Sequence, residues 1–284
     1  MKTAWVFPGQ GSQIIGMGQD LLDHPIAQIR FDQAQQLLGW SVPDICLQEE
    51  LLTRTRYTQP CLYVVSSILA DLLKQQGEQP SLVAGHSLGE YVALYVAGVY
   101  SFETGLHLVK QRAELMEQVS TGYMMALIGA DRQQLEHQLQ CTANVVLAND
   151  NHPGQVVISG LADGIESILA QVKTRRAVPL QVSGAFHSPL VADAANAFYP
   201  VLESIAFEAA QIPVLSNVAP LPATAADVLK NRLMQQMTGS VRWRETVLRL
   251  AIEKVDRVIE VGPGRVLTGL IQYTCSDLVL ENIG

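Results

Sequence analysis

The nine residues Leu82-Val83-Ala84-Gly85-His86-Ser87-Leu88-Gly89-Glu90 restrict the fold more than any other stretch of the chain. A short apolar run reads as a buried strand. Gly-x-Ser-x-Gly follows at once, and Tyr91-Val92-Ala93-Leu94-Tyr95-Val96-Ala97 then reads as a helix. Strand, Gly-x-Ser-x-Gly and helix in that order are the context a nucleophile elbow requires. A serine squeezed into so sharp a turn takes strained backbone angles, so small residues must flank it, here Gly85 and Gly89. Its hydroxyl then projects at the carboxyl end of a sheet, where the helix N-terminus offers free N–H groups and a positive dipole. The competing reading is an ordinary strand-to-helix turn that happens to hold Ser87, and it fits the flanking pattern less well.

At 284 residues the chain has room for one large domain, or for a large one carrying a small insert. With 48% hydrophobic and 16% charged residues, it can bury a sizeable core. A net charge of −8 and the lack of a basic run exclude a general nucleic-acid binder. Cys46, Cys61, Cys141 and Cys275 are scattered, with no Cys-x-x-Cys pair and no His cluster beside them, so no metal site is expected. That pattern suits reduced thiols in the cytoplasm. A strand begins within the first few residues, which argues against a signal peptide. Gly or charge breaks every apolar stretch before it reaches membrane-spanning length.

Along the chain, 3–7 reads as a strand ending in Pro8-Gly9-Gln10-Gly11-Ser12-Gln13. A phosphate loop is one reading, but Ile14 replaces the third glycine of the dinucleotide pattern and the Walker lysine is missing. A loop presenting the Gln10 N–H to a site, and a purely structural turn, are the others. Residues 14–38 read as largely helical. Pro60 heads a helix predicted over 61–75, and Ser101 caps one over 101–119. At about 100° per residue, Arg112 falls in the middle of that helix's apolar half. A buried guanidinium needs acceptors. Either Arg112 makes a structural ion pair or snorkels to an edge, or its fork awaits an anionic substrate.

From 124 the texture changes. Strand 124–128, helix 131–139, strands 144–148 and 156–159 around a turn at 149–155, helix 162–173 and strand 177–182 give βαββαβ. That is the order of a ferredoxin-like unit, read as an inserted small domain. The chain returns through Ser183-Gly184-Ala185-Phe186-His187-Ser188-Pro189, with Ser188-Pro189 opening a helix to about residue 205. His187 therefore sits in a Gly-containing loop where two domains rejoin, a favoured place for sites, although a lone loop histidine is commonly a surface residue. His24, His107, His137 and His152 read as surface residues. His86 lies beside Ser87 but points away from it on a strand. Strands at 213–216 and 257–261, with helices at 246–253 and 265–273, restore an α/β pattern of parallel strands covered by helices.

An elbow serine needs a base and donors for a developing oxyanion. His187 is the best candidate base. The Leu88 N–H supplies one donor by elbow geometry, and Gln10 could supply the second. Asp150 and Glu260 are candidate triad acids, but a histidine held by a backbone carbonyl needs none. Residue patterns alone thus reach a serine acyl enzyme that can carry a carboxylate clamp.

Five motifs occur in order: Phe7-Pro-Gly-Gln-Gly-Ser-Gln13, Gly85-His-Ser-Leu-Gly-Glu-Tyr91, Gln111-Arg112, Ser183-Gly-Ala-Phe-His-Ser-Pro-Leu190 and Glu260-Val-Gly-Pro-Gly264. Together they resemble the malonyl-CoA:acyl carrier protein transacylases of bacterial-type fatty acid synthesis over nearly the whole chain. The resemblance implies an α/β-hydrolase-like, parallel-sheet large domain (1–123 and 190–284) with an inserted ferredoxin-like small domain (124–189). It implies Ser87 as the residue that carries malonyl as an ester, His187 as its base, and Arg112 as the holder of the free carboxylate. Gln10 and Leu88 N–H groups would form the oxyanion hole. A backbone carbonyl would orient His187, expected from Ser240-Val241-Arg242-Trp243. Gly184-Ala185-Phe186-His187 resembles the malonyl-selecting motif of related polyketide acyltransferases. No permanently bound cofactor is implied: malonyl-CoA is a substrate, and the phosphopantetheine arrives on holo-acyl carrier protein. No nucleic-acid or membrane partner, a cytoplasmic location and a monomer are expected. An acidic carrier requires a local basic patch, from Lys173, Arg175 and Arg176 or from Arg242, Arg244 and Arg249. Three alternatives stay open: a serine hydrolase or thioesterase, a stand-alone acyltransferase for polyketide assembly, and a non-catalytic acyl-binding protein.

Overall fold

The computed structural model describes residues 1–284. Nine strands run in chain order: β1 Thr3–Phe7, β2 Leu82–Gly85, β3 Tyr123–Ile128, β4 Val145–His152, β5 Gln155–Gly160, β6 Arg176–Pro179, β7 Val214–Leu215, β8 Arg257–Val261 and β9 Val279–Ile283. They form two sheets. One is parallel throughout, in the order β7-β2-β1-β8-β9. Ala4, Trp5, Val6 and Phe7 of its central strand are fully buried, as a strand covered by helices on both faces must be. The register pairs Phe7 with Gly85 and Ala84 with Leu215, so β1, β2 and β7 end side by side. The loops beginning at Pro8, His86 and Ser216 therefore leave the sheet at one carboxyl edge, and the strand order reverses next to β1, between it and β8.

The other sheet, in the order β4-β5-β3-β6, is antiparallel and belongs to the ferredoxin-like unit. Helices Arg132–Cys141 and Ala162–Gln171 cover it, and Leu127, Leu135, Ile158, Ile165 and Ile168 form its own apolar core. The whole is a mixed α/β molecule with a large parallel-sheet part and a small ferredoxin-like part. No helix is long and apolar enough to cross a membrane.

Several elements depart from the sequence expectations. The helix placed at 61–75 starts earlier, at Thr55–Gln75, with Pro60 inside it. Pro60 is tolerated because the carbonyl it leaves without a helical donor belongs to Arg56, at the exposed end of the first turn. Residues 14–38 are helical only in part: turns and a single 3-10 turn at Gln19–Leu21 precede the helix Pro25–Leu38. The turn expected at 149–155 is mostly strand. β4 continues to His152 through two register shifts, because the Asp150 N–H donates to Val241 O at 3.0 Å and Asp150 pairs with Arg132 and Arg244. β6 stops at Pro179. The Leu180 N–H still bonds Met124 O at 3.0 Å, but the Val182 N–H folds back onto Leu180 O and takes the backbone off the sheet. His152, read as a surface residue, is buried and stacked on Tyr273 at 4.7 Å. By contrast, the helix Phe102–Glu117 begins as expected, with Ser101 Oγ accepting from the Thr104 N–H at 3.1 Å.

Candidate active site

Ser87 adopts φ 51°, in the left-handed region that non-glycine residues avoid. The turn is tight enough to exclude side chains on either flank. A Cβ on Gly85 would lie 1.9 Å from the Gly89 backbone, and one on Gly89 would lie 2.0 Å from Phe7 O. Backbone contact between the elbow and β1 is what brings the Gln10 loop beside Ser87.

His187 comes from the loop after β6 and is also left-handed, at φ 56°. Its Nε2 lies 2.8 Å from Ser87 Oγ. Its Nδ1 lies 3.0 Å from Gln236 O and 3.1 Å from Gly239 O. Two carbonyls can only accept, so Nδ1 carries the proton and Nε2 is left as acceptor for the Ser87 hydroxyl. Burial, then the nearby positive charge of Arg112, pushes His187 down to about 3, which keeps the imidazole neutral at physiological pH. The orienting carbonyls are Gln236 and Gly239, just before the stretch expected at 240–243, because the end of the helix Ala226–Gln236 packs against the loop. Neither proposed triad acid takes part. Asp150 is held by Arg132 and Arg244, and Glu260 caps the helix Val266–Gln272 through Leu267 and Thr268.

Arg112 is fully buried. It makes no ion pair and does not snorkel. Its Nη1 donates to Gln59 Oε1 at 2.7 Å, and its Nη2 to Gln236 Oε1 and Ser87 Oγ, both at 3.1 Å. The guanidinium also lies over the Tyr91 ring at 5.3 Å. A cation held by neutral amides and aimed at the Ser87 hydroxyl keeps its charge available for an incoming anion. Of the two readings left open by the sequence, the structural ion pair is thereby excluded.

The Gln10 and Leu88 N–H groups make no hydrogen bond within the chain. Both residues line the same cavity of about 70 Å³ as Ser87, His187 and Gln59. The cavity adjoins a cleft of about 200 Å³ through shared Gln10, His86, Asn149 and Leu180, and the cleft runs out past Gln155 and Leu270. A larger surface groove of about 410 Å³ beside Leu248 and Arg249 holds none of these residues. His86 turns to Asn151 Oδ1 at 3.0 Å and to the edge of Trp243, away from the Ser87 hydroxyl.

Sequence reasoning missed Gln59, Glu90, Asn217 and Gln236. For two of them a signal existed: Gln59 is a polar residue in an apolar helix, and Glu90 is an acid within the elbow motif. Of the candidate basic patches, Arg242, Arg244 and Arg249 are paired with Glu245, Asp150 and Glu253. Lys173, Arg175 and Arg176 are exposed and form no ion pair.

A strained serine bonded to a neutral histidine, beside two free N–H groups and a buried cation, is a site built for acyl transfer. Residues 4–282 match the acyl transferase domain, and the chain belongs to that family. Across its full length it is 58% identical to the malonyl CoA-acyl carrier protein transacylase of Synechocystis sp. (strain ATCC 27184 / PCC 6803 / Kazusa), covering 97% of that protein. The crystal structure of the Synechocystis sp. PCC 6803 enzyme superposes with a TM-score of 0.98, covering 100% of this chain and 97% of that one. A malonyl-transacylase solved in complex with its type II PKS acyl-carrier protein, 37% identical, superposes at 0.94 and covers 100% and 96% of the two chains.

Proposed function

We propose that this enzyme transfers the malonyl group of malonyl-CoA to the phosphopantetheine thiol of holo-acyl carrier protein, supplying extender units for fatty acid synthesis. The observation that carries the reading is the position of Ser87 Oγ, 2.8 Å from His187 Nε2 and 3.1 Å from Arg112 Nη2. Nucleophile, base and carboxylate fork stand within reach of one small acyl group.

In this reading Ser87 Oγ attacks the thioester carbonyl while its proton passes to His187 Nε2. The carbonyl oxygen gains negative charge and is held by the Gln10 and Leu88 N–H groups. Collapse breaks the C–S bond, and CoA leaves with the proton from His187. The carrier thiol then gives its proton to His187 and attacks the malonyl-Ser87 ester, and Ser87 recovers its proton as the new thioester forms. The Gln236 and Gly239 carbonyls stabilise the imidazolium through Nδ1–H in both halves. The malonate carboxylate, bound to Arg112, offsets one cause of the low His187 basicity and so strengthens the base when the correct substrate arrives. No group beyond these side chains and the two substrates is required. The cleft past Gln155 and Leu270 suits an extended pantetheine arm, and Lys173, Arg175 and Arg176 suit the acidic carrier. The division into a catalytic part (1–123 and 190–284) and a small domain (124–189) is supported by the separate core of the small sheet.

Intact-mass measurement after mixing with malonyl-CoA, and then with holo-acyl carrier protein, tests the reading. A malonyl increment should form, be absent in Ser87→Ala, and move to the carrier. An increment lost equally fast without the carrier identifies a hydrolase. No increment removes the catalytic reading.

A further inference from the structure

We infer that Glu90 and Asn217, together with the side chain of Gln236, form a buried positioning unit that holds the backbone of the nucleophile and aims an oxyanion donor. The inference rests on Ser87 being the acylated residue.

The left-handed angles of Ser87 must be held by something beyond the turn itself, since an L-residue gives up energy to adopt them. On its amino side, the Ser87 N–H donates to Asn217 Oδ1 at 2.7 Å, while Asn217 Nδ2 donates to Gly85 O at 2.6 Å. The carboxamide thus spans the elbow like a staple, and its orientation is unambiguous: an N–H requires the oxygen and a C=O requires the NH₂. On its carboxyl side, Gln236 Nε2 donates to Ser87 O at 2.9 Å. Glu90 ties the two arms together. Its Oε2 accepts from the Asn217 N–H at 3.1 Å and from Gln236 Nε2 at 2.8 Å. Glu90 and Asn217 are 1% exposed and Gln236 is fully buried, so water does not compete for these bonds.

Two consequences follow for the reaction. First, the Ser87 N–H is occupied, which leaves Leu88 and Gln10 as the donors to an oxyanion. Second, Ser87 C=O and Leu88 N–H belong to one planar trans peptide and point in opposite directions. Drawing the carbonyl onto Gln236 turns the Leu88 N–H toward the cavity. Glu90 lies three positions after the nucleophile on the first turn of the helix Gly89–Val96, so the elbow carries the anchor of its own brace. All three are positioning residues in this account.

The test compares Asn217→Ala, Asn217→Asp and Glu90→Gln with the wild type and Ser87→Ala, by rapid-quench intact mass of malonyl-enzyme formation. Asn217→Asp keeps the size and one oxygen for the Ser87 N–H, but opposes Gly85 O with a second oxygen. Both Asn217 variants should form the malonyl ester about 100-fold more slowly at saturating malonyl-CoA, the scale of a small misplacement of a reacting atom. Half-saturation should stay within about twofold, since the binding contacts are untouched. Glu90→Gln retains an oxygen for both donors and should recover to within about tenfold of wild type. If Asn217→Ala does not fold, the Asp variant decides, with thermal melting as its fold check. Wild-type acylation by folded Asn217→Asp, or a loss of rate explained wholly by weaker binding, overturns the inference. The reading of Ser87 fails separately, and visibly, if the wild type forms no ester or Ser87→Ala still forms one.

Discussion

The proposed nucleophile and the proposed base are held in opposite ways. The bend that carries Ser87 is set by close backbone packing: Gly85 on Gly89, Gly89 on Phe7, with no room for a side chain between them. His187 stands on a loop whose immediate neighbours fix only its backbone, with Ser188 Oγ bonded to Ala185 O at 2.6 Å. The ring itself is set by Gln236 and Gly239, 49 and 52 positions further along the chain. Hard-sphere backbone contact shapes the first position, with the Asn217 and Gln236 bonds holding it from outside the motif, whereas the second rests on long-range hydrogen bonds to backbone alone. The elbow should therefore fail abruptly under small steric changes, whereas the base should respond in graded fashion to charge and solvent.

The steepest failure is expected at Gly89. An alanine Cβ there would meet Phe7 O at 2.0 Å and Pro8 O at 2.9 Å, both backbone atoms that cannot swing aside. Relief requires the helix to lift from β1, so Gly89→Ala should lose about 3 kcal/mol or more, the upper range for overpacking. It should also yield little folded enzyme. Gly154→Ala, in the hairpin of the small sheet, is the matched control. Its Cβ would meet only the His152 ring, at 3.3 Å, and it should melt within a few degrees of wild type. Equal melting temperatures for the two variants would remove the contrast between the regions.

That contrast also explains what could be read in advance. The elbow, the β1 loop and the Ser101 cap are local, so spacing and residue type were enough to place Ser87 and Leu88 and to raise Gln10. Arg112 was visible as a charge on an apolar face, but not its acceptors. Gln59 is separated from it by 53 positions and Gln236 by 124, and sequence spacing carries no information about such pairs. For the same reason the polar residues Asn149 to His152 resembled a turn: the Val241 and Arg244 partners that make them a strand lie far along the chain. The helix Ala226–Gln236 and strand β9 carried no pattern that stood out, yet the first of these supplies a carbonyl that orients the His187 ring.

Arg112 connects the two regions, since one guanidinium nitrogen bonds both Ser87 Oγ and Gln236 Oε1. Arg112→Ala should reduce malonyl transfer by about 100-fold, in keeping with the loss of a charge-assisted contact and the stranding of two buried amides. Acetyl transfer, which offers no carboxylate, should fall by less than about tenfold, which separates selection from general damage. Single-turnover assays with malonyl-CoA and acetyl-CoA make the comparison directly. An equal loss on both substrates would leave Arg112 a structural residue and return the site to a plain serine hydrolase.

The smallest effect expected is in the response to acid, and it isolates the base. Folded His187 is pushed down to about 3, first by burial and then by Arg112. In the unfolded chain its imidazole takes up a proton near the ordinary value of about 6.5. Between these two values the unfolded state binds a proton that the folded state refuses. The contribution of His187 to stability is therefore complete above about 6.5 and declines as the pH falls, by up to about 1.4 kcal/mol per pH unit. Denaturant titrations from pH 7 to 4.5 should show a slope that His187→Ala flattens by nearly one proton, with His86 and His152, both also lowered by burial, accounting for part of the remainder. Malonyl-Ser87 formation should likewise persist well below pH 6, because the base stays unprotonated there. An acid limb at an ordinary imidazole value, together with an unchanged slope in His187→Ala, would mean that the ring is solvated in the working enzyme. The two carbonyls would then not be what holds it.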